Sequence, residues 1–151
     1  AMNPPEFSAT SARAMRRKIS APLLDRFDLM IDVQPVDIED IRKKKNRSSV
    51  TTADILSRVV RARQAQYQRL SGAGLHINAQ MDVRSIEKLC PLDAASESLL
   101  VQAVRRLNLS MRAYHRMIKV ARTIADLEGA NAISQSHIAE ALQYRQNVLS
   151  D

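Results

Sequence analysis

The sequence predicts an all-α fold: a bundle of about five helices from residue 51 onward, preceded by a short remnant of an α/β core. Three observations carry this. Aromatic residues make up 3% of the 151 residues and there are three glycines, a composition that favours helices over sheets. Apolar residues recur at three- and four-residue steps through most of the second part of the chain. Ser, Thr and Asp stand just ahead of these periodic runs, where a helix needs an N-cap.

The first part is irregular. Residues 1–7, AMNPPEF, hold two prolines and no periodicity; residues 1–10 read as an arm or as a leftover of a cloning tag. Residues 11–19, SARAMRRKI, fit a short basic helix, and Pro22 suits the first turn of another ending at Arg26. In residues 27–33, FDLMIDV, the apolar Phe27, Leu29, Ile31 and Val33 alternate with Asp28, Met30 and Asp32, the one convincing strand. A single strand cannot satisfy its own backbone groups. Its partners therefore lie outside this sequence or on another copy, and the chain reads as a piece of a larger protein. In isolation the strand is expected to be frayed, packed on the bundle or paired with another molecule. Residues 11–36 make the core remnant and 37–50 a connector, with Asp37 capping a helix over 38–45 that ends in three lysines. The KKKNR run is either a solvated helix end or a nucleic-acid contact.

The helical domain spans residues 51–151. Thr52 is the expected cap of a long helix to about Leu70, its faces marked by Ile55, Leu56, Val59, Val60, Arg63 and Tyr67. Residues 71–74, SGAG, break it, and 75–81 are irregular or briefly extended. Asp82 caps a short helix to Cys90 with Val83, Ile86 and Leu89 facing inward. After Pro91, Asp93 caps a helix to about Leu107 carrying Leu99, Leu100, Val104 and Leu107. Asn108 and Leu109 form a tight link into residues 110–129, SMRAYHRMIKVARTIADLEG, the helix around which the rest is organised. Ser110 is its cap and Gly129 its stop. Tyr114, Met117, Ile118, Ala121, Ile124 and Ala125 form its buried stripe, and Arg112, Arg116 and Lys119 occupy another face. Ser134 caps a last helix from His137 to about Val148, with Ile133 and Ile138 at the spacing of a hydrophobic staple.

Several functions are excluded or narrowed. The net charge of +7 and a pI near 10.1 suggest an anionic partner, nucleotide or nucleic acid. There is no apolar run of membrane-spanning length and no secretory signal. A lone cysteine, Cys90, cannot form an internal disulfide and fits a reducing cytoplasm. His76, His115 and His137 show no metal-ligand spacing. No GxxxxGK[ST], GxSxG, HExxH or CxxC pattern is present. Arg112 sits in the first turn of its helix, where exposed N–H groups already carry partial positive charge. An anion bound there would satisfy both, although a solvated basic face is the plainer alternative. Arg26 could pair with Asp25 or Asp28 on the surface.

Two stretches resemble a known family. Residues 19–33, ISAPLLDRFDLMIDV, resemble the segment that ends the core of magnesium-chelatase-type AAA+ ATPases, commonly ISGPLLDRIDL, with Ala21 where Gly is usual. Residues 110–127, SMRAYHRMIKVARTIADL, resemble the matching segment of the lid. Their order, with a helical bundle between them, is similar to the ComM-like branch of magnesium-chelatase-related ATPases. The resemblance implies a lid fold for residues 51–151 and an arginine-finger role in trans for Arg26. It also implies a sensor-2 role in cis for Arg112, with Arg116 as a further nucleotide-binding residue. For the full-length parent it implies ATP and Mg²⁺ as cofactors, a homo-oligomeric ring, expected to be a hexamer, and a cytoplasmic location. The parent's work would be DNA remodelling, by helicase action or branch migration during natural transformation. With no P-loop of its own, the chain alone is expected to bind neither cofactor and to be inactive. Within the family, the alternative is the ATPase subunit of magnesium chelatase, which drives metal insertion into a porphyrin. Outside it stand a helical nucleic-acid-binding module, with the helices of residues 96–107 and 110–129 as a helix-turn-helix, and an oligomerisation or adaptor bundle.

Overall fold

The computed structural model describes residues 23, 25–31, 33 and 50–146. Among them are five α-helices and no strand: α1 (Thr52–Leu70), α2 (Val83–Leu89), α3 (Ala94–Arg106), α4 (Met111–Glu128) and α5 (Gln135–Gln146). The helices expected over residues 11–19 and 38–45, and the domain boundary in the connector, lie outside the described residues.

Local sequence starts and stops most of these helices. Asp82, Asp93 and Ser110 accept from the backbone N–H three residues on, at 2.8, 2.7 and 3.1 Å. The cap of α1 is Thr51 rather than Thr52. Thr51 Oγ1 accepts from the Asp54 amide, and the Asp54 carboxylate accepts from the Thr51 amide, a reciprocal box that Thr52 could not make one residue later. Helix α5 begins at Gln135, two residues before the expected start, because the Ser134 amide is already satisfied by Nδ1 of His137 at 3.0 Å. Gly129 stops α4 with φ 76°, and the Ala130 amide bonds back to the Ala125 carbonyl at 2.8 Å. Asn108 makes the α3–α4 link at φ 48°, a conformation Asn tolerates better than most residues.

The core forms where α4 meets α1 and α5, with α3 closing over α5 and α2 over α4. Leu70, Leu100, Met117 and Ile138 are fully buried, and Ile86, Ile118, Ile133 and Leu142 surround them. The stripe expected on α4 is the one buried, with Tyr114 at its half-buried edge. One expectation fails, that of an inward-facing Val83, and the faces of α1 divide in a way the sequence does not indicate. On α1, Ile55, Leu56, Val59, Val60 and Tyr67 are exposed, and the buried face is Ala62, Gln66 and Leu70. Every residue of the first half of α1 is exposed. On α2, Val83 is exposed, since the seven-residue helix buries only the line through Ile86. The α3–α4 pair does not form the mutual packing of a helix-turn-helix: α3 lies against α5.

The described residues of 27–33 are not a strand. The segment runs over the bundle, where the Met30 amide donates to the Tyr144 carbonyl at 3.0 Å. With no sheet partner among the described residues, backbone groups of the segment take partners on α5. Its alternating apolar side chains are only partly covered there, from 44% exposure at Phe27 to 86% at Val33.

Candidate functional site

Helix α4 carries its basic residues along one wall of a groove of about 810 Å³. Arg112, Arg116 and Lys119 line it from α4, and Arg58 reaches it from α1. Ile86 and Ile124 form part of its apolar floor, and Glu140 and Tyr144 of α5 stand at another wall. The i, i+4, i+7 spacing places the three α4 cations on one face, as the sequence indicates.

The three cations are in different states. Lys119 donates to the Ala79 carbonyl at 3.1 Å. Burial pushes its ammonium below the ordinary value; Asp28 opposes this, and Arg116 adds to it by repulsion. Arg116 is largely buried: it donates to the Asp25 carbonyl at 2.9 Å and pairs with the Asp28 carboxylate at 3.3 Å. Arg112 is exposed and has no hydrogen bond or ion pair with any described residue. A guanidinium without a partner among the described residues thus stands in the first turn of an eighteen-residue helix, beside amides that also favour an anion.

Arg26 does not line this groove. Its amide closes a turn onto the Leu23 carbonyl at 2.9 Å, and its exposed side chain pairs with neither Asp25 nor Asp28. Those carboxylates belong to the bundle. Asp25 accepts from Ser110 Oγ at 3.0 Å and from Arg145 at 2.9 Å, and Asp28 pairs with Arg116. The structure therefore brings the loop carrying Arg26 onto the N-terminus of the helix carrying Arg112, while the two guanidinium groups stay apart from described partners.

Residues 49–145 match the family described as magnesium chelatase, subunit ChlI C-terminal. The chain belongs to this family. Among curated proteins it is 42% identical over 128 residues to the competence protein ComM of Haemophilus influenzae, covering 85% of this chain and 24% of ComM. It is 38% identical, with the same coverage, to the protein YifB of Salmonella typhimurium. It is 30% identical over 139 residues to the protein Rv2897c of Mycobacterium tuberculosis, covering 92% of this chain and 27% of that one. The chain thus spans about a quarter of the length of the curated relatives it matches. It is a ComM-like, magnesium-chelatase-related C-terminal region, in a family related to the AAA+ ATPases.

Two features of this family member escape sequence reading. One is Arg145, whose partners Phe27 and Asp25 lie 118 and 120 residues away in the chain and leave no local pattern. The other is a buried polar cluster around Asp126. Arg69 grips its carboxylate with two bonds of 2.8 and 2.7 Å, Arg122 adds one at 3.1 Å, and Asn78 another at 2.9 Å. The i, i+4 spacing of Arg122 and Asp126 was the only available signal. The cluster ties α1, the turn at Asn78–Gln80 and α4 together, and so supports the groove wall from behind.

Of the other titratable groups, His137 accepts at Nδ1 from Ser134, which leaves Nε2 to donate to Glu128 at 2.9 Å. Cys90 is buried and free, and burial pushes its thiol up, which disfavours the reactive thiolate. Among the described residues no group of His, Cys, Asp and Glu could hold a metal ion, and no helix is long and apolar enough to cross a membrane.

Proposed function

We infer that this chain is the helical lid of a ring-forming AAA+ ATPase of the ComM type, which couples ATP hydrolysis to DNA remodelling. In this reading Arg112 contacts the phosphates of a nucleotide held by the core of its own subunit, and Arg26 reaches a nucleotide held by the neighbouring subunit. The placement of Arg112 carries the reading: it is exposed, unpaired with any described residue and set in the first turn of α4. A phosphate there would meet a guanidinium fork and helix-terminal amides together. Arg116 would join only by exchanging Asp28, a carboxylate 61% exposed and able to leave without burying an unpaired charge. Mg²⁺ would travel on the nucleotide phosphates and neutralise charge that develops on them.

Both arginines would act on the transferring phosphoryl group by stabilising its charge. An arginine finger supplies ~10³–10⁵ in rate, so Arg26→Ala in the full-length ATPase should lower kcat steeply. Arg26→Lys should recover only part, because an ammonium lacks the planar fork. Mixing separates the roles. A Walker A-defective subunit that keeps Arg26 should restore turnover to Arg26→Ala subunits in mixed rings. It should do nothing for Arg112→Ala subunits. Rescue of both variants, or of neither, refutes the division into one residue in trans and one in cis. ATP-dependent migration of a DNA branch by the intact ring, lost with Arg112→Ala, is the expected readout for DNA remodelling.

A further inference from the structure

Arg145, in the last turn of α5, is 4% exposed. The helix dipole favours a cation at that end, but a solvated arginine would serve the dipole equally well. Burial therefore needs another cause, and a guanidinium this deep requires oxygen partners. One arm donates to the Phe27 carbonyl at 2.6 Å, the other to the Asp25 carboxylate at 2.9 Å. These residues flank Arg26. A single guanidinium thus pins the loop on both sides of Arg26 and leaves the Arg26 side chain outside, exposed. Two further contacts complete the seat: Ser110 Oγ to the Asp25 carboxylate at 3.0 Å, and Arg116 to the Asp25 carbonyl at 2.9 Å.

We propose that Arg145 is a positioning residue for Arg26: the bundle of one subunit, through Arg145 and Asp25, aims the guanidinium which that subunit offers to its neighbour. This rests on the reading of Arg26 as acting in trans. Arg145 touches no nucleotide and acts only through the loop. Because Ser110 both caps α4 and holds Asp25, the helix bearing Arg112 and the loop bearing Arg26 form one body.

The test uses the assembled full-length ATPase with Arg145→Gln, Asp25→Ala, Arg26→Ala and the Arg145→Gln/Arg26→Ala double variant, each first checked for ring assembly. Arg145→Gln removes a buried group; Asp25→Ala breaks the same contact from a side chain 30% exposed and leaves α5 intact. Misplacing a reacting group by ~1 Å costs roughly 10² in rate, so both single variants should lose kcat on that scale while KM for ATP stays near its original value. The double variant should be no slower than Arg26→Ala alone. Walker A-defective partners should restore turnover to Arg145→Gln and Asp25→Ala subunits, as for a defect expressed in trans. Unchanged turnover in both single variants overturns the proposal. So does a double variant slower than Arg26→Ala by the full factor of Arg145→Gln, or a loss that mixing cannot restore. Full turnover by Arg26→Ala alone is a separate result, needs no Arg145 variant, and removes the finger reading itself.

Discussion

Asp126→Ala should be the most damaging single change in the bundle that touches no proposed ligand. The Asp126 side chain is 1% exposed and faces Arg69 at 20% and Arg122 at 3% exposure. Removing one partner of a buried ion pair costs ~3–5 kcal/mol, because the remaining charge is left uncompensated. The lower end applies, since each arginine keeps other acceptors. Arg122 retains the Asn131 and Ala130 carbonyls at 2.9 and 2.6 Å, and Arg69 retains Asn78 Oδ1 at 2.9 Å. A loss of ~3 kcal/mol, at ~4–8 °C per kcal/mol for a domain of this size, lowers Tm by roughly 12–24 °C. Asp126→Asn keeps one acceptor oxygen and should fall between Ala and the unmodified chain. Thermal and urea unfolding of the chain, followed by circular dichroism at 222 nm, measures both. A destabilisation by Asp126→Ala below about 1 kcal/mol, the ordinary scale of a point mutation, would show that the cluster does not hold α1 to α4.

Two further outcomes follow from local geometry. Gly129→Ala should cost about 1 kcal/mol or somewhat more; since nothing lies within 4 Å of a Cβ placed there, the cost is the left-handed backbone alone, and an unchanged urea midpoint would contradict it. The cap carboxylates Asp54, Asp82 and Asp93 are held below their unfolded value of 3.8, chiefly by hydrogen bonds from Thr51, Ser85 and Ser96. A depressed folded pKa gives stability that is present above 3.8 and disappears as pH falls through the lower folded values. Melting temperature should therefore drop below about pH 4, and the Asp82→Asn/Asp93→Asn variant, still capped, should show a shallower acid limb; identical limbs would rule the caps out as its source.

The sequence by itself determined what depends on neighbours within one or two turns. Caps at Asp82, Asp93 and Ser110, the stop at Gly129 and the buried stripe of α4 all arise from hydrogen bonds or periodicity spanning at most a few residues. The grouping of Arg112, Arg116 and Lys119 on one face is of the same kind. Family membership was legible too, because residues 110–127 combine that periodicity with a specific order of side chains. What only the tertiary structure decided is which apolar faces find a partner and which charges meet. Ile55, Leu56, Val59 and Val60 are apolar and spaced at helical steps, yet they stay exposed while Ala62, Gln66 and Leu70 take the buried face of α1. Residues 27–33 alternate like a strand, but a strand exists only where another backbone supplies its hydrogen bonds, and here α5 supplies the one that Met30 makes. Arg116 and Arg112 are equivalent on a helical wheel; the arrival of Asp25 and Asp28 from far along the chain engages one and leaves the other open. The partner of Arg145 lies 120 residues away, a distance over which periodicity carries no information and only packing brings two charges together.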